Sequence, residues 1–227
     1  MKMPMKRYQL NIGLAPGTLA QLRSSGFQLY GFLAAQVSDA RSRPLLWYAT
    51  GKLGLNNLIG WFGQYQVYTS NSPFQLAPQE VVELNAITFM NPGQLLTVNA
   101  RGTGPVTNQG TAGRYSIFNN STTPQVCGLL AEGKAFCALP LDGNLEQQFK
   151  ALPKLLVLFA PDLYPFGTVL QHWLGTCTSG LLADLSSIGS ANVRFDMDTG
   201  LWDWSKQTWG HQIQPGADLA ALLLSDF

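Results

Sequence analysis

The chain has 227 residues, a formal net charge of +1, 46% apolar residues and only 12% charged residues, where about a quarter is usual. That balance leaves enough apolar residue for a sizeable core and excludes the basic footprint of a nucleic-acid binder. Glycines, prolines, amides and hydroxyls fill the polar positions, so the surface resists self-association weakly.

The opening stretch MKMPMKRYQLNIG has no apolar h-region, so no Sec leader is expected. The longest apolar runs, such as residues 155–160 and 219–224, fall far below the ~18 residues of a spanning helix. The expected location is the cytoplasm, or outside the cell by a route without a Sec signal peptide. Three cysteines, Cys127, Cys137 and Cys177, make an odd set that argues against a disulfide framework. Cys127 and Cys137 are placed to face each other across a hairpin, as a bond or as buried free thiols.

Residues 7–13 alternate Tyr8, Leu10 and Ile12 against Gln9 and Asn11, which predicts the first strand. Residues 16–25 predict one or two helical turns, with Thr18 as cap, Leu19 and Leu22 inward and Gly26 as terminator. A strand follows over 27–37, with Phe27, Leu29, Leu33 and Ala35 on one face. After a turn at 38–44 and a short strand at 45–49, a Gly/Asn loop at 51–57 leads into the longest two-faced stretch, residues 58–70. Read as one central strand, it puts Ile59, Trp61, Tyr65 and Val67 on an apolar face. Phe62, Gln64, Gln66 and Tyr68 form an amide-rich face, the candidate contact surface.

Beyond the turn at 71–78, strands are predicted over 80–89 and 94–100 around the tight turn Asn91-Pro92-Gly93. Residues 101–113 hold four glycines without periodicity and read as a mobile loop. Residues 114–118 form a strand, and 125–131 with 134–139 form a hairpin around Glu132-Gly133. Residues 142–151 read as a connection, 153–160 as a strand buried on both faces and 167–173 as another strand. Residues 175–190 carry no assignable pattern. A second hairpin, 193–197 with 201–205, turns at Asp198-Thr199-Gly200. The last twelve residues fit a short helix or a final strand, with helix propensity favouring the helix.

About twelve short strands with punctuated turns and one or two short helices predict an all-β fold, an antiparallel, jelly-roll-like β-sandwich forming a single domain over 1–227. No helix of three turns separates the strands as a βαβ fold requires. Asn57, Trp61, Tyr65, Val67 and Tyr68, then Pro92-Gly93-Gln94, then Tyr115, Asn119, Gly128 and Trp202 resemble the pattern of a group of β-sandwich proteins of fungi and bacteria. The resemblance covers roughly residues 57–204. It implies the sandwich fold and transfers neither an activity nor a site.

No GxSxG, HExxH, paired CxxC or EF-hand spacing is present, and only His172 and His211 are available as bases. The chain is therefore read as non-enzymatic, without cofactor or metal. Asp196 and Asp198 are too few for calcium, and Asp196 is expected to meet Asp203 across the hairpin. The expected function is self-association into a homo-oligomer or ordered assembly. The alternative is a lectin-like or lipid-headgroup module, pore formation included, that meets a glycan or membrane surface through Trp202, Trp204, Trp209, Asp203 and His211.

Overall fold

The computed structural model describes residues 6–72, 76–170 and 177–227. Strand accounts for 49% of the described residues and helix for 7%, in three open sheets, so the all-β, sandwich-like reading holds. The expected strand 167–173 lies partly outside the described residues, and His172 wholly so.

β1 (Arg7–Leu14) follows its alternation. α1 (Pro16–Ser24) begins two residues before the expected cap: Pro16 supplies a preset φ at the helix start, while Thr18 is buried and its hydroxyl accepts the Met197 N–H. β2 (Gln28–Val37) is buried on both faces. β3 (Arg43–Pro44) and β4 (Tyr48–Thr50) replace the single strand expected at 45–49. The supposed central strand is two strands, β5 (Asn56–Phe62) and β6 (Gln66–Ser70), which belong to different sheets.

Only β7 (Ala86–Thr88) forms from the expected 80–89 strand. β8 (Leu95–Val98) pairs with β9 (Val106–Thr107), so the Gly-rich stretch at 101–113 is held rather than free. Its Gly104 lies so close that a Cβ there would stand 1.7 Å from the Thr97 carbonyl oxygen. β10 (Tyr115–Asn119) precedes the expected hairpin of β11 (Gln125–Ala131) and β12 (Lys134–Leu141). β13 (Glu146–Ala160) runs fifteen residues and absorbs the expected connection. It passes Pro153 through a register shift between Leu152 and Leu155, which is how a strand tolerates a missing N–H. β14 (Gly180–Asp184) lies in the unassigned stretch, and β15 (Ser190–Asp196) with β16 (Leu201–Asp203) forms the expected hairpin. β17 (Gly210–Ile213) follows. The C-terminus realises both readings, with α2 (Leu219–Leu223), capped by the Asp218 side chain, and then β18 (Leu224–Ser225).

The first sheet has the order β16-β15-β1-β5, with β15 parallel to β1. The second runs β17-β14-β13-β10-β8-β9, with β2 on β13 and both β4 and β18 on β2. The third runs β3-β12-β11-β6-β7. All three turn a face to one main core, which contains Leu10, Ile12, Trp61, Val67, Phe136, Phe149, Phe159 and Phe195. Much of the other face of the second and third sheets is also buried. α2, Leu46 and Ile213 cover Tyr30, Phe32, Leu156 and Leu158 of the second sheet. Leu45, Leu76, Val82 and Val169 cover Tyr68, Val126, Leu130 and Ala138 of the third. The first sheet keeps a wet face, where exposed and buried residues alternate along β15 and the Asn11 amide bonds the Asn192 amide, and the start of β13 in the second sheet alternates in the same way, with Glu146 and Lys150 exposed against Gln147 and Phe149 buried.

Candidate functional site

The chain leaves β5 at Phe62, turns the corner at Gly63 and Gln64, and enters β6 at Gln66. Trp61 and Tyr65 anchor both sides of this corner in the main core, and the Trp61 indole N–H donates to the Tyr65 hydroxyl at 3.1 Å. Phe62, Gln64 and Gln66 point the other way. With Phe89, Glu132 and Gly133 they line an open groove of about 470 Å³, counting the solvent-open space. Phe62 is 41% exposed and Phe89 73%. The Arg7 guanidinium stands 5.8 Å from the Phe62 ring centroid.

Glu132 heads the tight turn of the β11–β12 hairpin with φ +51°, followed by Gly133 at +73°. Such turns favour Asn, Asp or Gly at the first position, so a glutamate there is locally unfavourable. Its carboxylate accepts the Phe62 N–H at 3.0 Å, which fastens the hairpin tip to the end of β5. Two ring faces, two amides and a carboxylate therefore converge on one opening. Such a surface can stack on apolar or C–H faces and exchange hydrogen bonds around them.

Tyr68, expected on the same face, is not part of this groove. It is fully buried, and its hydroxyl donates to the Cys137 carbonyl at 2.9 Å. The third sheet is covered on both sides, so alternation along β6 separates two buried faces rather than a buried and a wet one.

The C-terminal tryptophans are largely core. Trp202 is 4% exposed, stacks on Phe159 at 5.8 Å and 11°, and packs against Phe195 at 4.9 Å. Its indole N–H donates to the Ser179 carbonyl, so neither ring nor N–H is left to meet a ligand. Trp204 is half-buried, donates to the Gln207 carbonyl and lies over Gly210, where a Cβ would stand 2.5 Å from its ring. Trp209 is half-buried against the main core. Asp203 and His211 are exposed, but Asp203 accepts the Ser205 N–H and His211 faces Leu182 across the ladder. The five residues share a region without forming an exposed aromatic platform.

The other expected chemistry is rearranged as well. Asp203 stands opposite Arg194, and Asp196 opposite Leu201, so the two carboxylates do not meet. Cys127 and Cys137 are free and diagonal, opposite Leu139 and Leu129 respectively. Burial pushes the Cys127 thiol well above its ordinary range and the Cys137 thiol up to about 12. The half-buried Cys177 rises to about 11 for the same reason. Among the described residues no three His, Cys, Asp or Glu side chains converge as a metal-binding group. No helix among them is long and apolar enough to cross a membrane.

Phe89 and Glu132 are the groove residues that sequence reasoning missed. The glutamate in a position that disfavours it was the available signal; Phe89 carried none beyond its place before the Asn91-Pro92-Gly93 turn. Comparison with protein-family models, curated proteins and solved structures finds no match to this chain.

Proposed function

We propose that this chain is a non-catalytic β-sandwich protein that works by associating with copies of itself, as a homo-oligomer or ordered assembly. The supporting observation is where the exposed apolar side chains fall. Of the thirteen large hydrophobic residues that stand exposed among the described residues, five lie between Phe62 and Phe89: Phe62, Val81, Leu84, Ile87 and Phe89. They sit around the groove and along the end of the third sheet, mixed with the amides of Gln64 and Gln66. A concentration of this kind on a charge-poor chain favours contact with another surface. Sedimentation velocity from low to tens of micromolar protein tests the reading. A concentration-dependent shift to dimers or larger species is expected, and a strict monomer throughout overturns it.

The composition of the groove favours a second reading, a carbohydrate ligand. Pyranose C–H faces stack on rings such as Phe62 and Phe89, and sugar hydroxyls pair with amides and carboxylates such as Gln64, Gln66 and Glu132. This moves the ligand-binding alternative away from the C-terminal tryptophans. Calorimetric titration with mono- and oligosaccharides tests it. Heat that disappears in Phe89→Ala supports it, and no heat at millimolar sugar removes it. Flotation with liposomes separates a lipid headgroup from a sugar.

A further inference from the structure

We infer that copies of this chain meet through β7, edge to edge and antiparallel across a two-fold axis, so that two five-stranded sheets become one. This deepens the self-association reading and rests on it. A strand at a sheet edge offers unpaired N–H and C=O groups, and folded proteins guard such edges with charge, proline, short length or a covering group. Five other sheet ends among the described residues carry such guards, while β4 and β18, paired to β2 alone, are edges of three and two residues. β3 consists of an arginine and a proline, and β9 is two residues long directly after Pro105. β16 ends on Asp203, after which Ser205 and Lys206 turn the chain away with positive φ. The Trp204 ring covers the start of β17 at Gly210, and Glu132 caps the last N–H of β5.

β7 shares only the short length, at three residues, and carries neither charge nor proline. It pairs with β6 on one side, and among the described residues no strand pairs with its outer edge. Its residues are Ala86, Ile87 and Thr88. No charged side chain occurs anywhere from Leu84 to Ala100, and the only proline of that stretch is Pro92, beyond the strand. Ile87 is 47% exposed and the following Phe89 73%.

The charge pattern selects the occupant. In a two-fold contact each group meets itself or its mirror partner, so a single charge near the axis would face its own sign. A stretch with no charge is the kind of edge that pairs with itself at no such cost. Antiparallel pairing centred on the middle residue sets Ile87 opposite Ile87, Thr88 opposite Ala86, and Phe89 opposite Asn85. Phe89 then stands beside the partner copy's strand end, and the Phe62–Phe89 groove flanks the seam.

Ile87→Cys in a Cys177→Ser background tests this geometry. Directly opposed strand residues lie about 4.5–5.5 Å apart at Cα, within disulfide reach, and the remaining thiols are buried. Mild oxidation is expected to give a covalent dimer, and a control at the exposed Ser187, Ser187→Cys, to give none. Ile87→Lys places two ammonium groups across the axis and is expected to weaken association at least about tenfold in sedimentation velocity. Self-association that persists without the Ile87→Cys crosslink overturns the β7 contact and leaves the functional reading intact. A wild-type protein that stays monomeric overturns both. Should Ile87→Lys lose its fold by circular dichroism, the crosslink alone decides.

Discussion

Replacing Gly128 by alanine tests why Tyr68 is excluded from the surface. Gly128 stands on β11 directly opposite Tyr68 on β6 and Ala138 on β12. The tyrosine ring lies across the space that a side chain would take. An added Cβ would come within 2.0 Å of the Cys137 carbonyl oxygen and 2.6 Å of the Tyr68 ring. The carbonyl belongs to the neighbouring strand and cannot rotate away. The ring is fully buried and tied to that carbonyl by its hydroxyl. Strand separation or ring expulsion must therefore absorb the clash. Overpacking of this kind costs about 3 kcal/mol, and the stiffer unfolded chain returns less than about 1 kcal/mol. A net loss of about 2–3 kcal/mol corresponds to a fall in Tm of roughly 4–12 °C for a chain of this size. Thermal and urea unfolding, each followed by circular dichroism, measure it. A Tm within about 1 °C of wild type would mean that Gly128 is not the floor under Tyr68, and the tyrosine would return as a surface candidate.

Other outcomes follow from the same packing. Trp202→Ala is expected to cost about 3–5 kcal/mol in urea unfolding because it empties a site between Phe159 and Phe195, whereas Phe89→Ala should stay within about 0.5 kcal/mol. Equal effects would refute the assignment of one ring to the core and the other to the surface. Burial raises the Asp39 carboxyl, but hydrogen bonds and charge from Arg41 and the Gln147 amide outweigh it, so its folded value lies below the ordinary one. A lowered carboxylate contributes stability above its unfolded value of about 4, lost as pH falls through the folded value. Asp39→Asn should therefore reduce Tm at neutral pH and flatten the decline below about pH 4, and parallel Tm curves would contradict it. The folded protein at pH 8 should leave Cys127 and Cys137 unlabelled by iodoacetamide, and Cys177 should react about a hundredfold more slowly than a free thiol. Mass spectrometry of the labelled peptides checks this, and labelling of either buried thiol before unfolding would refute it.

The apolar face of Ile59, Trp61, Tyr65 and Val67 was legible because alternation marks burial whatever the topology. The corner between β5 and β6 was hidden for the same reason. Trp61 and Tyr65 are an even number of residues apart, so the period of two runs through Gly63 and Gln64 unbroken although the chain changes sheet there. Trp202 and Trp204 also share a parity, but β16 ends at Asp203, and only the tryptophan inside the strand is carried into the core. On the other side of the stretch Phe62 and Gln64 stand exposed and Gln66 half-buried, whereas Tyr68 is buried. Segments distant in the chain cover the third sheet, and local pattern holds no record of them. β13 was cut short because Pro153 reads as a boundary, while a bulge absorbs it. The open edge at β7 comes from three residues, too few to generate a period.

The parallel pairing of β1 with β15 sets the order in which the chain can finish folding. Asn11 and Asn192 bond each other across 181 positions. At about 5–20 residues per second of synthesis, β1 emerges roughly 10–40 s before its neighbour exists. Until then Leu10 and Ile12 have only β5 beside them, and half of the first sheet is missing. Completion of that sheet is a late, long-range step of the slow kind. Chains that stop short of β15 would carry an exposed apolar strand at their N-terminus and should be taken up by chaperones or precipitate.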